Sequence, residues 1–269
     1  MCQLLGLSFN QDIQPGKNFS TLLSRSILNP HGWGLACYPN ESSSAVVFKE
    51  PVPGSDSQLA EFLCNYSQLR SKVFIGHIRK ATKGNNSYDN THPFTRCYSG
   101  REFTFAHNGT LKYRKRLKGL IYQPVGGTDS ERAFCYLLSQ LRMYEIKPVM
   151  ADRIEVYDAI DFQIIYEILL DINTRTAGAF NCLYSDGKYL FCYRDLAEAR
   201  NLFYQKYHGK ADKNETGKTF QSKKSCMEKS QTMKGVIVAT EPLNDGHWQS
   251  FSAGHLMVFK DGEVASDIS

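Results

Sequence analysis

The 269-residue sequence predicts a sheet-rich α+β fold built in layers, and three observations carry that expectation. Short β-branched or aromatic-rich runs, bounded by turn residues, recur along most of the chain. Three apolar stripes at helical spacing fall between them. The composition, 42% hydrophobic and 22% charged, is ordinary for a globular chain of this length and allows one large core. Residues 2–269 read as a single domain.

In order along the chain, Gln3, Leu5, Leu7 and Phe9 alternate with Cys2, Leu4, Gly6 and Ser8. That pattern reads as a first strand buried on both faces, with Cys2 held at its start by a sheet. Further strands are expected at GWGLACY, SAVVFKE, KVFIGHIRKA, EFTFAH, AFNCLYSDG, YLFCYRD, GVIVATE and HLMVFKDGEV. Helices are expected where Leu59, Phe62, Leu63, Tyr66 and Leu69 make one stripe, Phe134, Leu137, Leu138 and Leu141 a second, and Ile160, Ile164, Ile168 and Ile172 a third. No internal repeat is present. A flexible lysine-rich insertion is expected at about 205–232.

No run of about 18 apolar residues occurs, and MCQLLGLSFNQD lacks the basic leader and small-residue cleavage signal of an exported chain. The expectation is a cytoplasmic protein with no membrane partner. The eight cysteines include no C-x-x-C pair, and most sit in apolar runs, which reads as reduced core thiols. Net charge is +5, but eight lysines fall between Lys206 and Lys234 in a polar stretch, so the excess reads as one solvated loop. No nucleic-acid partner is expected. The histidines show no paired ligand spacing, and neither a metal nor a cofactor is expected.

Several residues carry candidate chemistry, each beside a plain structural reading. Cys2 is a small residue that removal of Met1 would leave N-terminal. Its α-amine, with a reference pKa of about 7.7–8.0, would then be a base next to its own thiol. Alternatively Cys2 is a small buried hydrophobe. Asn108 and Gly109 in FAHNGTL are either a hairpin turn or two donors aimed at an oxyanion. Arg79 and Thr82 in GHIRKAT are either strand-end surface residues or a fork and hydroxyl for a carboxylate. In GGTDSE, Thr128 and Glu131 read as a capping box, and Asp129 is either a first-turn acid or an inward partner for an ammonium. His92 in THPF, like His31 and Trp33 in HGWG, is a pocket wall or an ordinary loop residue.

Taken in this order, MCQLLG, HGWGLACY, GHIRKAT, NTHPF, FAHNGTL and GTDSE resemble the stand-alone class II glutamine amidotransferases of the YafJ type. The later stretches FCYLLSQL, AFNCLYSDGKYL and IVATEPLNDGHWQSF are similar too, and the lysine-rich segment least. The resemblance implies a four-layer αββα sandwich of two antiparallel sheets, the N-terminal-nucleophile hydrolase fold. It implies Cys2 as a nucleophile that forms a γ-glutamyl thioester, hydrolysed to glutamate with release of ammonia or amine. Asn108 and Gly109 would stabilise the oxyanion, Arg79 and Thr82 would hold the substrate α-carboxylate, Asp129 its α-ammonium, and His92 would stand in the substrate pocket.

One departure bears on the substrate. The sugar-phosphate synthases of this superfamily carry Trp and His where Lys80 and Lys83 stand here, so the outer pocket is expected to admit something besides glutamine. In a sequence of this length no fused synthase domain is expected. Three readings stay open: hydrolysis of a γ-glutamyl small molecule, a glutaminase subunit that supplies ammonia to a separate synthase partner, and a catalytically silent protein that senses glutamine.

Overall fold

The computed structural model describes residues 1–82, 84–151, 154–210 and 232–269. In chain order the strands are β1 Gln3–Ile13, β2 Trp33–Cys37, β3 Val46–Glu50, β4 Ser71–Ile78, β5 Phe94–Tyr98, β6 Arg101–Leu111, β7 Val149–Ala151, β8 Ile154–Val156, β9 Gly178–Ser185, β10 Tyr189–Tyr193, β11 Phe203–Lys210, β12 Thr232–Ala239, β13 Gln249–Ser250, β14 Leu256–Lys260 and β15 Glu263–Ile268. The α-helices are α1 Gly16–Ser24, α2 Gln58–Asn65, α3 Asp129–Met143 and α4 Ala159–Thr176.

One sheet has seven strands in the order β13-β11-β12-β1-β4-β2-β3, the other six in the order β15-β14-β10-β9-β6-β5. Neighbours pair antiparallel in both. Strand alternation sorts each sheet's side chains onto two faces, and the buried residues accordingly form three layers. Phe19, Leu22 and Leu23 of α1 and Ala60 and Leu63 of α2 pack on Leu5, Leu7, Trp33 and Leu35 of the first sheet. Phe134, Leu137 and Leu138 of α3 and Ile165, Leu169 and Ile172 of α4 pack on Phe105, Phe180 and Phe191 of the second. Between the sheets lie Leu4, Val73, Ile75, Ala106, Leu183, Leu190, Val236, Val238 and Phe259. This is the αββα sandwich, with both sheets buried on both faces.

The sequence and the structure differ in instructive places. The stripe from Leu59 to Leu69 predicts a longer helix than α2, which ends at Asn65 and leaves Phe62 and Tyr66 exposed. Four-residue spacing advances about 40° per step on a 3.6-residue helix, so the isoleucine stripe of α4 drifts around its surface. Ile168 and Ile172 are buried while Ile160 is exposed, and Phe162, Ile165 and Leu169 complete the inner face. HLMVFKDGEV is not one strand: Asp261 and Gly262, both at positive φ, turn β14 back as β15, the preference of an Asp-Gly hairpin. The lysine-rich segment expected at about 205–232 starts within β11 and ends on the first residue of β12, which pair from Phe203↔Ala239 to Lys210↔Thr232. Residues 211–231 lie outside the described residues.

Tyr38, directly after β2, bolts the two sheets together. Its hydroxyl lies 2.9 Å from Ser185 O, 3.0 Å from Glu102 O and 3.1 Å from Thr104 Oγ1, all on the second sheet. One O–H can donate to one carbonyl while the oxygen accepts from Thr104, so the phenol satisfies buried groups on both β6 and β9. Tyr38→Phe is expected to lower the unfolding free energy by about 1–3 kcal/mol, because it strands those partners without changing the core volume. A fall in the denaturant midpoint at unchanged slope is the expected reading.

Candidate active site

The site begins with the parity of β1. Leu5, Leu7 and Phe9 face the helix layer, whereas Leu4 faces the other sheet and Gly6 lies against Leu183 and Leu190. Cys2 shares the parity of Leu4 and Gly6, so it stands at the open end of the gap between the sheets. Its Sγ accepts a hydrogen bond from the backbone N–H of Lys80 at 3.2 Å and lies 3.5 Å from Lys80 O. Burial pushes the thiol pKa up, and the Asp129 charge adds to that. The Lys80 backbone bond, the chain-terminal ammonium and Arg79 pull against it without reversing it. A thiol held in this way is protonated at neutral pH and needs a base to become a nucleophile.

Across the gap stands β6, and here the structure removes one of the two readings of Asn-Gly, the hairpin turn. β6 runs straight through both residues, with Asn108 opposite Asn181 and Gly109 opposite Phe180 of β9, so no turn occurs there. A side chain on Gly109 would meet Ala179 O at 1.9 Å, which restricts the position to glycine. Asn108 Nδ2 donates to Thr240 Oγ1 at 3.3 Å, and the same oxygen accepts from the Leu4 N–H at 3.0 Å.

A cavity of ≈ 240 Å³ opens between these strands, lined by Met1, Cys2, Lys80, Ala81, Thr82, Asn108, Gly109, Thr110 and Arg200. The hydroxyls of Thr82 and Thr110 lie 3.3 Å apart in its wall. His31 Nδ1 accepts from the Ala81 N–H at 3.0 Å, which fixes the loop that carries Lys80 and Thr82. Met1 donates from its amine to Asn29 Oδ1 at 2.9 Å; burial, then Lys80 and Arg200, hold that amine below its ordinary pKa.

Of the residues singled out in the sequence, Cys2, Thr82, Asn108 and Gly109 line this cavity; Arg79, Asp129 and His92 do not. Arg79 lies buried one residue behind, donating to Asn86 Oδ1 at 3.1 Å and lying within 3.4 Å of His31 O and Gly84 O. Asp129 Oδ2 accepts from the Leu111 N–H at 2.6 Å at the first turn of α3. Thr128 caps that helix by accepting from Glu131 N, but the Glu131 carboxylate does not close a capping box. It accepts from Val125 N and Gly126 N and pairs with Arg96. His92 is buried against His77 and Phe94. Lys83 lies outside the described residues. Thr110, Arg200 and Thr240 were not singled out in the sequence. Thr110 is legible as part of HNGT, whereas Arg200 and Thr240 follow β10 and β12 and arrive only through the pairing of distant strands.

The sequence profile described as glutamine amidotransferases class-II matches residues 1–269. An uncharacterized protein of Methanocaldococcus jannaschii is 41% identical over 98% of this chain and 70% of its own. YafJ of Escherichia coli, whose name assigns it provisionally to the glutamine amidotransferases, is 38% identical over 72% of each chain. A solved Pseudomonas aeruginosa structure described as a predicted glutamine amidotransferase superposes with TM-score 0.64 at 27% identity, covering 98% of this chain and 100% of that one. The allosteric regulatory enzyme of purine biosynthesis shares the fold, at 17% identity and TM-score 0.64 over 98% of this chain and 48% of that one.

Behind the cavity wall, His77, His92 and His107 are all buried. His107 is held neutral in geometry, with Ser130 Oγ 2.8 Å from Nδ1 and Ala179 O 3.1 Å from Nε2, so Nε2 carries the proton. Burial lowers all three pKa values, His77 to about 3 and His92 well below the ordinary 6.5. Depressed folded-state values mean that the unfolded chain binds the extra protons, so stability is complete above about pH 6.5 and is lost as pH falls below it. His77 and His92 alone predict a loss of about 3 kcal/mol between pH 7.5 and 5.5, above the range where carboxylates titrate, and His107 adds to it in the same direction. Denaturant midpoints measured across that window should fall steadily; a flat profile would contradict the buried neutral cluster.

Proposed function

The chain belongs to the class II glutamine amidotransferases, and on that premise we propose that it hydrolyses the γ-amide of glutamine or of a γ-glutamyl compound through a thioester on Cys2. The observation that supports this most directly is the placement of Cys2 Sγ in one cavity with Asn108 and Gly109, one group from each sheet.

Removal of Met1 makes the Cys2 α-amine the chain terminus, one residue from where burial, then Lys80 and Arg200, depress the Met1 amine, and in this reading the same groups depress the Cys2 amine. A lowered amine pKa keeps the free base available near neutral pH, so the amine takes the thiol proton as sulfur attacks the γ-carbonyl carbon. Negative charge develops on the carbonyl oxygen, where the Asn108 amide and the Gly109 N–H act as donors. They strengthen as the charge forms, so they lower the barrier rather than merely bind substrate. The C–N bond then breaks, and the departing nitrogen takes its proton from the Cys2 ammonium. Water adds to the thioester carbon with the amine again as base, releasing glutamate and restoring the thiol.

The other charged groups act in recognition. Arg79, behind Lys80, supplies positive charge for the substrate α-carboxylate, with the Thr82 hydroxyl in the cavity wall as donor. Asp129 uses Oδ2 for Leu111, leaving Oδ1 and the carboxylate charge for the α-ammonium. His92 has no substrate contact in this scheme and backs the wall through His77.

Steady-state kinetics on the Met-processed protein test the reading. Cys2→Ser is expected to abolish turnover, and Asn108→Ala to lower kcat by about 10²–10³-fold with little change in KM. Asp129→Asn keeps an oxygen for Leu111 but removes the charge, and is expected to raise KM by about tenfold. Unchanged turnover in Cys2→Ser would overturn the mechanism, and a chain that retains Met1 is expected to bind γ-glutamyl compounds without cleaving them.

A further inference from the structure

Two cations in the cavity have no part in the chemistry above. Lys80 and Arg200 both line it, and neither has an acidic partner among the described residues. Arg200 Nη1 donates only to the neighbouring Ala199 O at 2.7 Å, and the Lys80 side chain stands exposed at the mouth. Glu241, whose charge opposes theirs at the Met1 amine, lies 3.9 Å from Arg25 and within reach of Gln3. Uncompensated positive charge in a cleft draws anions.

Their position within the site is the informative part. Lys80 and Arg200 are the two cations that act on the Met1 amine, and with it they line the cavity, so they border the space that removal of Met1 vacates beside Cys2. In the mechanism above the Cys2 amine protonates the departing nitrogen, which places the leaving group toward that space. Met1 occupies part of this space, and its removal opens it. Thr82, whose hydroxyl lies 3.3 Å from that of Thr110 in the cavity wall, is assigned to the glutamyl end in the reading above. Ammonia alone has no charge for two cations to recognise.

The positive surface continues outward. Two residues beyond Thr110 of the cavity wall, Lys112, Arg114, Lys115, Arg116 and Lys118 line a second cavity of ≈ 370 Å³. Arg116 lies over the Tyr113 ring at 4.3 Å, and no acidic side chain pairs with these cations among the described residues.

Building on the hydrolase reading, we propose that Lys80 and Arg200 form an anion subsite on the leaving-group side, so that the preferred substrates are γ-glutamyl amides whose amine portion carries a carboxylate or a phosphate. The reaction is unchanged in its balance. Water's oxygen joins the γ-carbonyl carbon, the amide C–N bond breaks, and the amine leaves with its anion and a proton.

The test compares kcat/KM on the Met-processed protein for γ-glutamylglycine, γ-glutamylphosphoethanolamine and the neutral γ-glutamylethylamide. The anionic substrates are expected to be favoured by about tenfold at low ionic strength, with a preference that shrinks as salt screens the mouth. Whichever of the two leads identifies carboxylate or phosphate as the recognised group. Arg200→Ala and Lys80→Ala should each cut the anionic-to-neutral ratio, Arg200→Glu should invert it, and Arg200→Lys should restore most of it. The ratio is the readout because any effect of these variants on the amine base acts on all three substrates alike. Equal cleavage of all three, or a ratio indifferent to the variants, overturns the subsite and leaves the hydrolase reading standing. No cleavage of any of them together with no trapped adduct on Cys2 overturns that reading, and the subsite with it.

Discussion

Thr240 holds the two halves of the site in register. Its hydroxyl oxygen accepts from the Leu4 N–H at the start of β1 and from the Asn108 amide on the opposite sheet, so one side chain ties the strand that follows Cys2 to the strand that carries Asn108 and Gly109. The bond is buried on both sides, where an unpaired donor costs most. Gly109 extends the same constraint, because only a residue without Cβ lets β6 run this close to Ala179. β1 is central in its sheet, between β12 and β4, and cannot shift without breaking two ladders. The reactive end of the molecule is therefore fixed by strands on either side of it, although Cys2 itself lies just ahead of the first strand.

Electrostatics set what such a frame can do. Burial raises the pKa of the Cys2 thiol and lowers that of the neighbouring Met1 amine, so at this end of the chain both groups are biased toward their neutral forms. The buried histidines behind the wall are driven neutral by the same desolvation. They serve the packing of the site, and among the described residues the charged side chains that line the cavity are Lys80 and Arg200.

Much of this was legible in the sequence where the signal is local. The alternation around Leu4 and Leu5 places β1 and the orientation of Cys2, and the α3 stripe matches its buried face. Thr128 is the expected helix cap. Legibility failed where a residue's role depends on what another element brings to it. Asn108 and Gly109 carry the signature of a turn, and only the full-length pairing of β6 with β9 removes it. Arg79, Asp129 and His92 fall in the motifs that mark them as pocket residues, and the structure buries all three just outside the lining of this cavity, where the sequence alone does not place them. Arg200 sits in a loop with no periodicity, and its place in the site is a consequence of where β10 ends. α1 is nine residues long and lacks a side-chain cap, too little for periodicity to register. β11 was hidden by its lysines and joined to the polar stretch, although Tyr204 and Tyr207 pack on opposite faces of the sheet.

The central claim is that Cys2, freed of Met1, is the nucleophile of a glutamine-type site. It is tested most directly by incubating the Met-processed protein with 6-diazo-5-oxo-L-norleucine, a glutamine-shaped electrophile, and locating the adduct by intact mass and peptide mapping. One adduct is expected, on Cys2, among the eight cysteines of the chain. Absence of an adduct on a chain whose N-terminus is a free Cys2, or modification of another cysteine instead, would contradict it.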